Sequence, residues 1–124
     1  MRGKHILLIE PDAYLAGIYA AKFASEHLQT QVAETLSSAR KSIKKSVPKA
    51  VVVDVAVDQE SGFDFIHELR SDPKTFAVPI FVLTALAARE HIARAFAAGA
   101  TDYLIKGHFV PIEAVRKVKK AVLQ

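Results

Sequence analysis

The stretch AVVVDV, Ala50 to Val55, constrains the fold most. It is the most β-branched run in the chain and shows no apolar–polar alternation. A strand of this kind is buried on both faces, which is the situation inside a parallel sheet with helices on either side. Four other short apolar runs fit the same role: residues 4–9 (KHILLI), 30–34 (TQVAE), 79–84 (PIFVLT) and 101–105 (TDYLI). Helical periodicity fills the gaps between them. Leu15, Ile18, Tyr19 and Phe23 make one helix face; Leu36, Ala39 and Ile43 make a second, with Thr35 as its N-cap and Val47-Pro48 ending it. A polar loop ending in Ser61-Gly62 precedes a third helix marked by Phe63, Ile66 and Leu69 and closed by Ser71-Asp72-Pro73. Ile92, Ala95 and Phe96 mark the fourth, stopping at Gly99, and Ile112, Val115, Val118 and Val122 the fifth.

Five strand–helix units use the whole of residues 1–124, so the expectation is one domain with no second, output domain. A chain of 124 residues can bury a real core, and 51% hydrophobic with 24% charged residues is ordinary globular composition. The absence of cysteine excludes thiolate metal sites and disulfides. No apolar run reaches membrane-spanning length and the N-terminus lacks a signal-peptide pattern, so a cytoplasmic protein is the default expectation. The net charge of +4 gathers in ARKSIKKSVPK and VRKVKKAV. Without interleaved aromatic residues these read as solvated helix faces, and direct nucleic-acid binding is not expected. The five histidines show no ligand-type pairing, and no Gly-rich phosphate loop is present. A phosphatase of the D-x-D type would need acids two apart after a strand, whereas DVAVD has them four apart.

In a doubly wound sheet, ligands bind outside the carboxyl ends of the strands. Those ends carry Glu10-Pro11-Asp12, Asp54, Thr84-Ala85 and Lys106-Gly107, with only Glu34 and Thr35 after the second strand. Each residue alone has a structural explanation, such as a helix cap for Asp12 or a solvated loop charge for Lys106. Together they bring acids, a hydroxyl and an ammonium to one rim. Clustered carboxylates attract a hard cation such as Mg²⁺. At ~4 Å and an effective dielectric of ~20, a lysine–carboxylate attraction there is on the order of 4 kcal/mol before desolvation.

The blocks ILLIE with its following acid, VVVDVAVDQESGFDFI, PIFVLTA and AAGATDYLIKG resemble, in order and over nearly the whole chain, the response regulator receiver domain of two-component signalling. The resemblance implies an α/β flavodoxin-like (βα)₅ sandwich of three layers, with a five-stranded parallel sheet in the order 2-1-3-4-5. It implies Asp54 as the acceptor of a phosphoryl group from a histidine kinase or phosphotransfer protein. Thr84 and Lys106 are implied as phosphate-contacting residues, Ala85 as the small residue leaving room, and Thr84 with Tyr103 as the switch pair. It implies Mg²⁺ held by Glu10, Asp54 and the Ala56 backbone, with Asp12 as a further candidate. It implies signalling through a protein partner, with slow Mg²⁺-dependent self-phosphorylation and autodephosphorylation in place of enzymatic turnover.

Departures from the family pattern qualify this. Pro11 stands where a second acid ordinarily ligates the metal, so weakened Mg²⁺ binding is expected. Asp58 replaces a usual proline, and Gly107 replaces the proline that usually follows the lysine, which would leave that loop more mobile. Ala56 and Leu86 occupy positions that tune dephosphorylation in the family, and neither can orient water, so slow loss of the phosphoryl group follows. Two other readings remain open: a degenerate receiver acting as a phosphorylation-independent interaction module, and a homodimer through the last helix and its neighbours, using Ala88, Ile92 and Val110.

Overall fold

A computed structural model describes residues 3–123, with positions 57, 59 and 60 described by their backbone only. Five parallel strands form one sheet: β1 (His5–Ile9), β2 (Gln29–Ala33), β3 (Ala50–Val53), β4 (Ile80–Thr84) and β5 (Asp102–Ile105), in the order β2-β1-β3-β4-β5. The five α-helices are α1 (Ala13–Ser25), α2 (Leu36–Lys45), α3 (Gln59–Ser71), α4 (Arg89–Ala98) and α5 (Pro111–Val122). The α/β class and the strand order are those expected.

Alternation along the strands divides the core into two layers. Ile6, Leu8, Val52, Leu83 and Leu104 pack with Tyr19 and Phe23 of α1 and Val115 and Val118 of α5. Leu7, Ile9, Val51, Val53, Ile80 and Val82 face the other way, against Leu36 and Ala39 of α2, Phe63, Ile66 and Leu69 of α3, and Ala95 of α4. The β3 valines at 51–53 are 1% exposed or less, as an uninterrupted apolar run requires. Fully burying a side chain of this size is worth about 1.5–3 kcal/mol.

Several boundaries differ from the sequence reading. Strand β3 stops at Val53; Asp54 keeps one backbone bond to Ile9 while its side chain caps a 3₁₀ turn over Val55–Val57. Helix α3 begins at Gln59, not after Gly62, because the Asp58 carboxylate accepts from Ser61 N–H (3.3 Å) and starts the helix early. Gly62 therefore lies inside a helix, where a Cβ would meet the Val55 Cα at 3.0 Å; the close approach of the 3₁₀ turn favours glycine there. Strand β2 begins one residue early and leaves Glu34 outside. On α1 the fully buried residues are Ala16, Tyr19 and Phe23, so the helix is turned slightly from the Leu15–Ile18 face. Phe96, expected on the inner face of α4, is exposed, and Ala95 alone is buried on that helix.

Capping by Thr35 occurs as expected, through Ser38 N–H at 3.0 Å. Gly99 ends α4 with a left-handed φ of 119°. Its carbonyl accepts from the Arg70 guanidinium (2.8 Å), which also donates to the carbonyls of Phe76 (2.9 Å) and Val78 (2.6 Å) and to the Thr101 hydroxyl (3.3 Å). One side chain thus ties α3 to the segments on both sides of β4. Replacing Arg70 with Ala removes the guanidinium donor from two part-buried carbonyls, Gly99 and Val78, and from the exposed Phe76 carbonyl. A loss of about 2–3 kcal/mol is expected in urea unfolding, seen as a lower midpoint with an unchanged slope, and Arg70→Lys should recover only part of it.

Candidate functional site

The backbone places the site residues before their side chains meet. Just beyond β1, the Glu10 N–H donates to the Ala33 carbonyl at 3.0 Å. The Asp54 N–H donates to Ile9 at 3.0 Å, and the Lys106 N–H to Thr84 at 2.7 Å. Each residue extends the sheet by one rung past its own strand, at the carboxyl rim. Continuing the alternation of β1, β3 and β5 puts Glu10, Asp54 and Lys106 on the α1–α5 side, above Leu8, Val52 and Leu104. Thr84 follows Ile80 and Val82 on the other side, where Tyr103 also packs.

The Lys106 ammonium bridges two carboxylates, Glu10 Oε1 at 2.5 Å and Asp54 Oδ2 at 2.8 Å. Side-chain exposures of 17%, 3% and 9% for Lys106, Glu10 and Asp54 make this a largely desolvated cluster. Two acids and one base leave one excess negative charge when all are ionised. Burial is the largest single influence on the lysine and acts to lower its pKa. It is outweighed by the hydrogen bonds to Asp54 and Glu10 and by their charges, so the net shift is upward. The second oxygen of Asp54 accepts from Ala56 N–H at 2.9 Å, which fixes the carboxylate plane.

Asp12 stays outside this cluster. It is exposed, and its side chain caps α1 by accepting from Tyr14 N–H (2.9 Å) and Leu15 N–H (3.1 Å). Its own N–H donates to Glu10 Oε2 at 3.2 Å, so it helps to orient Glu10. Pro11 brings no donor atom. Gly107 takes a left-handed φ of 93°.

On the α3–α4 side, Thr84 is fully buried, and its hydroxyl oxygen accepts a long bond (3.4 Å) from Leu86 N–H. The Tyr103 hydroxyl donates to the Leu86 carbonyl at 2.7 Å. Burial, and then the charge of Asp54, raise the Tyr103 pKa. Ala85 is exposed at the rim between these two layers. The sequence reading missed the Leu86 carbonyl as the partner of Tyr103, since a backbone acceptor leaves no mark in residue type. It treated Tyr19 only as part of an apolar face, although Lys106, Glu10 and Asp54 all act electrostatically on its phenol.

The donor chemistry suits a hard cation. Two buried carboxylates already converge on one positive group, and Mg²⁺ commonly needs only one or two carboxylates with water and phosphate oxygens completing its shell. Among the described residues no group of three acidic or histidine side chains is assembled for a metal. Nor is any helix among them long and apolar enough to cross a membrane.

The response regulator receiver domain model matches residues 6–118. The chain belongs to the response regulator receiver domain family. Among curated proteins it is similar to the heme response regulator HssR of Staphylococcus aureus, 28% identical over 100 residues that cover 81% of this chain and 43% of HssR. The chain thus spans less than half the length of that relative. Among solved structures, a putative response regulator from Chloroflexus aurantiacus is 28% identical, with a TM-score of 0.87 over 99% of this chain and all of the other. The chemotaxis protein CheY4 of Vibrio cholerae shares the fold (TM-score 0.84, 20% identity, 94% of this receiver chain and 96% of CheY4).

Because the lysine pKa is raised on folding, the stabilisation it provides is complete below the unfolded value of about 10.5 and is lost as pH rises through the higher folded value. Lys106→Met should cost about 3 kcal/mol at neutral pH, since it strands two buried carboxylates. The stability difference between wild type and variant should then shrink above about pH 10.5 in denaturant titrations. A difference that stays constant across that range would contradict the bridging role.

Proposed function

We propose that this receiver domain accepts a phosphoryl group on Asp54 from a histidine kinase or phosphotransfer protein and passes the change to a protein partner. The observation that carries the reading is the buried Asp54 carboxylate bonded to the Lys106 ammonium at the sheet rim. In the transfer, an Asp54 oxygen attacks phosphorus, the P–N bond to the donor imidazole breaks, and an acyl phosphate forms. Lys106 exchanges its bond to the Asp54 oxygen for one to a phosphoryl oxygen. The Thr84 hydroxyl, whose proton is not engaged by another described residue, binds a second. Mg²⁺ on Glu10, Asp54 and the Ala56 carbonyl would supply further neutralisation of the transferring charge.

The phosphoryl group adds about −1.5 to −2 charge at a rim where one excess negative charge is already held. Drawing Thr84 toward it pulls on the segment that carries Leu86. That in turn changes the acceptor of the Tyr103 hydroxyl, 2.7 Å away. The β4–α4 connection is suited to move, because Ala88 at the cap position of α4 provides no side-chain cap. Two exposed apolar residues follow it in the chain, Phe96 on α4 and Val110 ahead of α5, as surfaces on which a partner could read the change. Pro11 is the observation that favours the second reading, an interaction module that works without phosphorylation.

Incubation with a small phosphodonor and Mg²⁺, followed by intact mass, decides between them. One added phosphoryl group is expected on wild type and none on Asp54→Ala. An unmodified wild type would leave the interaction-only reading. Pro11→Asp restores a carboxylate beside Glu10 and should tighten Mg²⁺ binding about tenfold in calorimetric titration, the worth of about 1.4 kcal/mol.

A further inference from the structure

Tyr19 has a place in the site that its role as a core residue does not explain. It is 5% exposed and packs in the same layer as Leu8, Val52 and Leu104. Those three lie two residues before Glu10, Asp54 and Lys106 on their strands, so the layer above them is the ion cluster itself. Helix α1 begins at the rim with its cap at Asp12 and runs away from it. Side chains on a helix lean toward its N-terminus, so the Tyr19 phenol leans toward the rim. From Asp12 to Tyr19 the helix axis advances only about 10 Å, a distance that a tyrosine side chain partly spans.

The electrostatics agree with this placement. Burial raises the phenol pKa, and of the three charged groups acting on it Lys106 has the largest effect, ahead of Glu10 and Asp54. The hydroxyl makes no hydrogen bond to another described residue. The Lys106 ammonium has three N–H donors, of which Glu10 and Asp54 take two. An uncommitted acceptor and an uncommitted donor therefore sit on the same side of the sheet. A hydrocarbon would pack against Leu8 and Val52 as well as a phenol does, so the packing gives no reason for the oxygen.

We propose that Tyr19 is a positioning residue of the site, its hydroxyl, unbonded to Lys106 in this structure, taking up the free Lys106 N–H as that ammonium shifts from Asp54 to a phosphoryl group. This rests on Asp54 as the phosphoryl acceptor. During the shift Lys106 keeps Glu10, gives up Asp54 Oδ2, and gains a phosphoryl oxygen. The phenol oxygen accepts the remaining N–H and limits the swing of the flexible lysine stem. The chemistry of transfer stays with Asp54, and Tyr19 acts only through Lys106.

The test compares wild type with Tyr19→Phe, which keeps the ring and removes the oxygen. Initial rates of loading from a small phosphodonor with Mg²⁺ should fall about threefold to tenfold, the ordinary worth of one hydrogen bond, with the unfolding midpoint little changed. A second readout is the NMR signal of the Lys106 Cε methylene in protein saturated with beryllium fluoride as a phosphoryl mimic. It should differ between wild type and variant, which a purely packing role would not produce. If wild type loads and Tyr19→Phe loads equally fast with an unchanged Lys106 signal, the positioning role is wrong while the acceptor reading stands. If wild type neither loads nor binds beryllium fluoride, the acceptor reading fails and takes this role with it.

Discussion

One ammonium between two buried carboxylates organises the functional end of this molecule. Glu10 and Asp54 come from adjacent strands, and Lys106 comes from the far edge of the sheet. Without the lysine, two acids of 2% and 7% exposure would face one another in a poorly solvated place. With it, the carboxyl ends of β1, β3 and β5 are drawn to one point. Such a buried pairing is costly to assemble and is weak evidence for stability. Under the proposed function its value would lie in being poised, since a phosphoryl group on Asp54 would remove one partner of the ammonium and offer it another.

The parity of the strands separates the site into two chemical halves. The charged cluster of Glu10, Asp54 and Lys106 occupies the α1–α5 side, with Asp12 outside it as the cap of α1. The pair Thr84 and Tyr103 occupies the α3–α4 side, where they are joined through the two backbone groups of Leu86. Asp54 stands where β3 gives way to a 3₁₀ turn, and its carboxylate is anchored to that turn by the Ala56 N–H. Under the proposed function, a phosphoryl group on Asp54 would act on one side as a rearrangement of charge and on the other as a pull on the β4–α4 connection. At its far end α4 is held through Gly99 by Arg70, so movement there would be concentrated at its uncapped N-terminus.

Much of this was legible in the residue pattern. The valine run at 51–53, the five-fold alternation of strand and helix, and the acids, hydroxyl and lysine at strand ends are all matters of residue type and spacing. Thr35 and Gly99 announce their caps through local chemistry alone. What escaped depends on groups that a pattern cannot weigh. Asp58 captures the helix start from a stretch that reads as loop, and Gly62 is favoured by the nearness of Val55. Phe96 fits the periodicity of α4, yet only Ala95 of that helix is close enough to the sheet to be fully buried. Arg70 finds carbonyl partners that have no sequence signature. Tyr19 is periodic with the apolar face, and the pattern gives no sign that the charges of Lys106, Glu10 and Asp54 act on its phenol.

The central claim is that Asp54, among several acids near the rim, receives the phosphoryl group. Its most direct test is borohydride trapping of the phosphodonor-treated protein followed by peptide mapping, because reduction converts an aspartyl phosphate to homoserine at the residue that carried it. The account predicts homoserine at position 54 alone. Homoserine at Asp12 or Asp58, or none anywhere under conditions that modify another receiver domain, would contradict it.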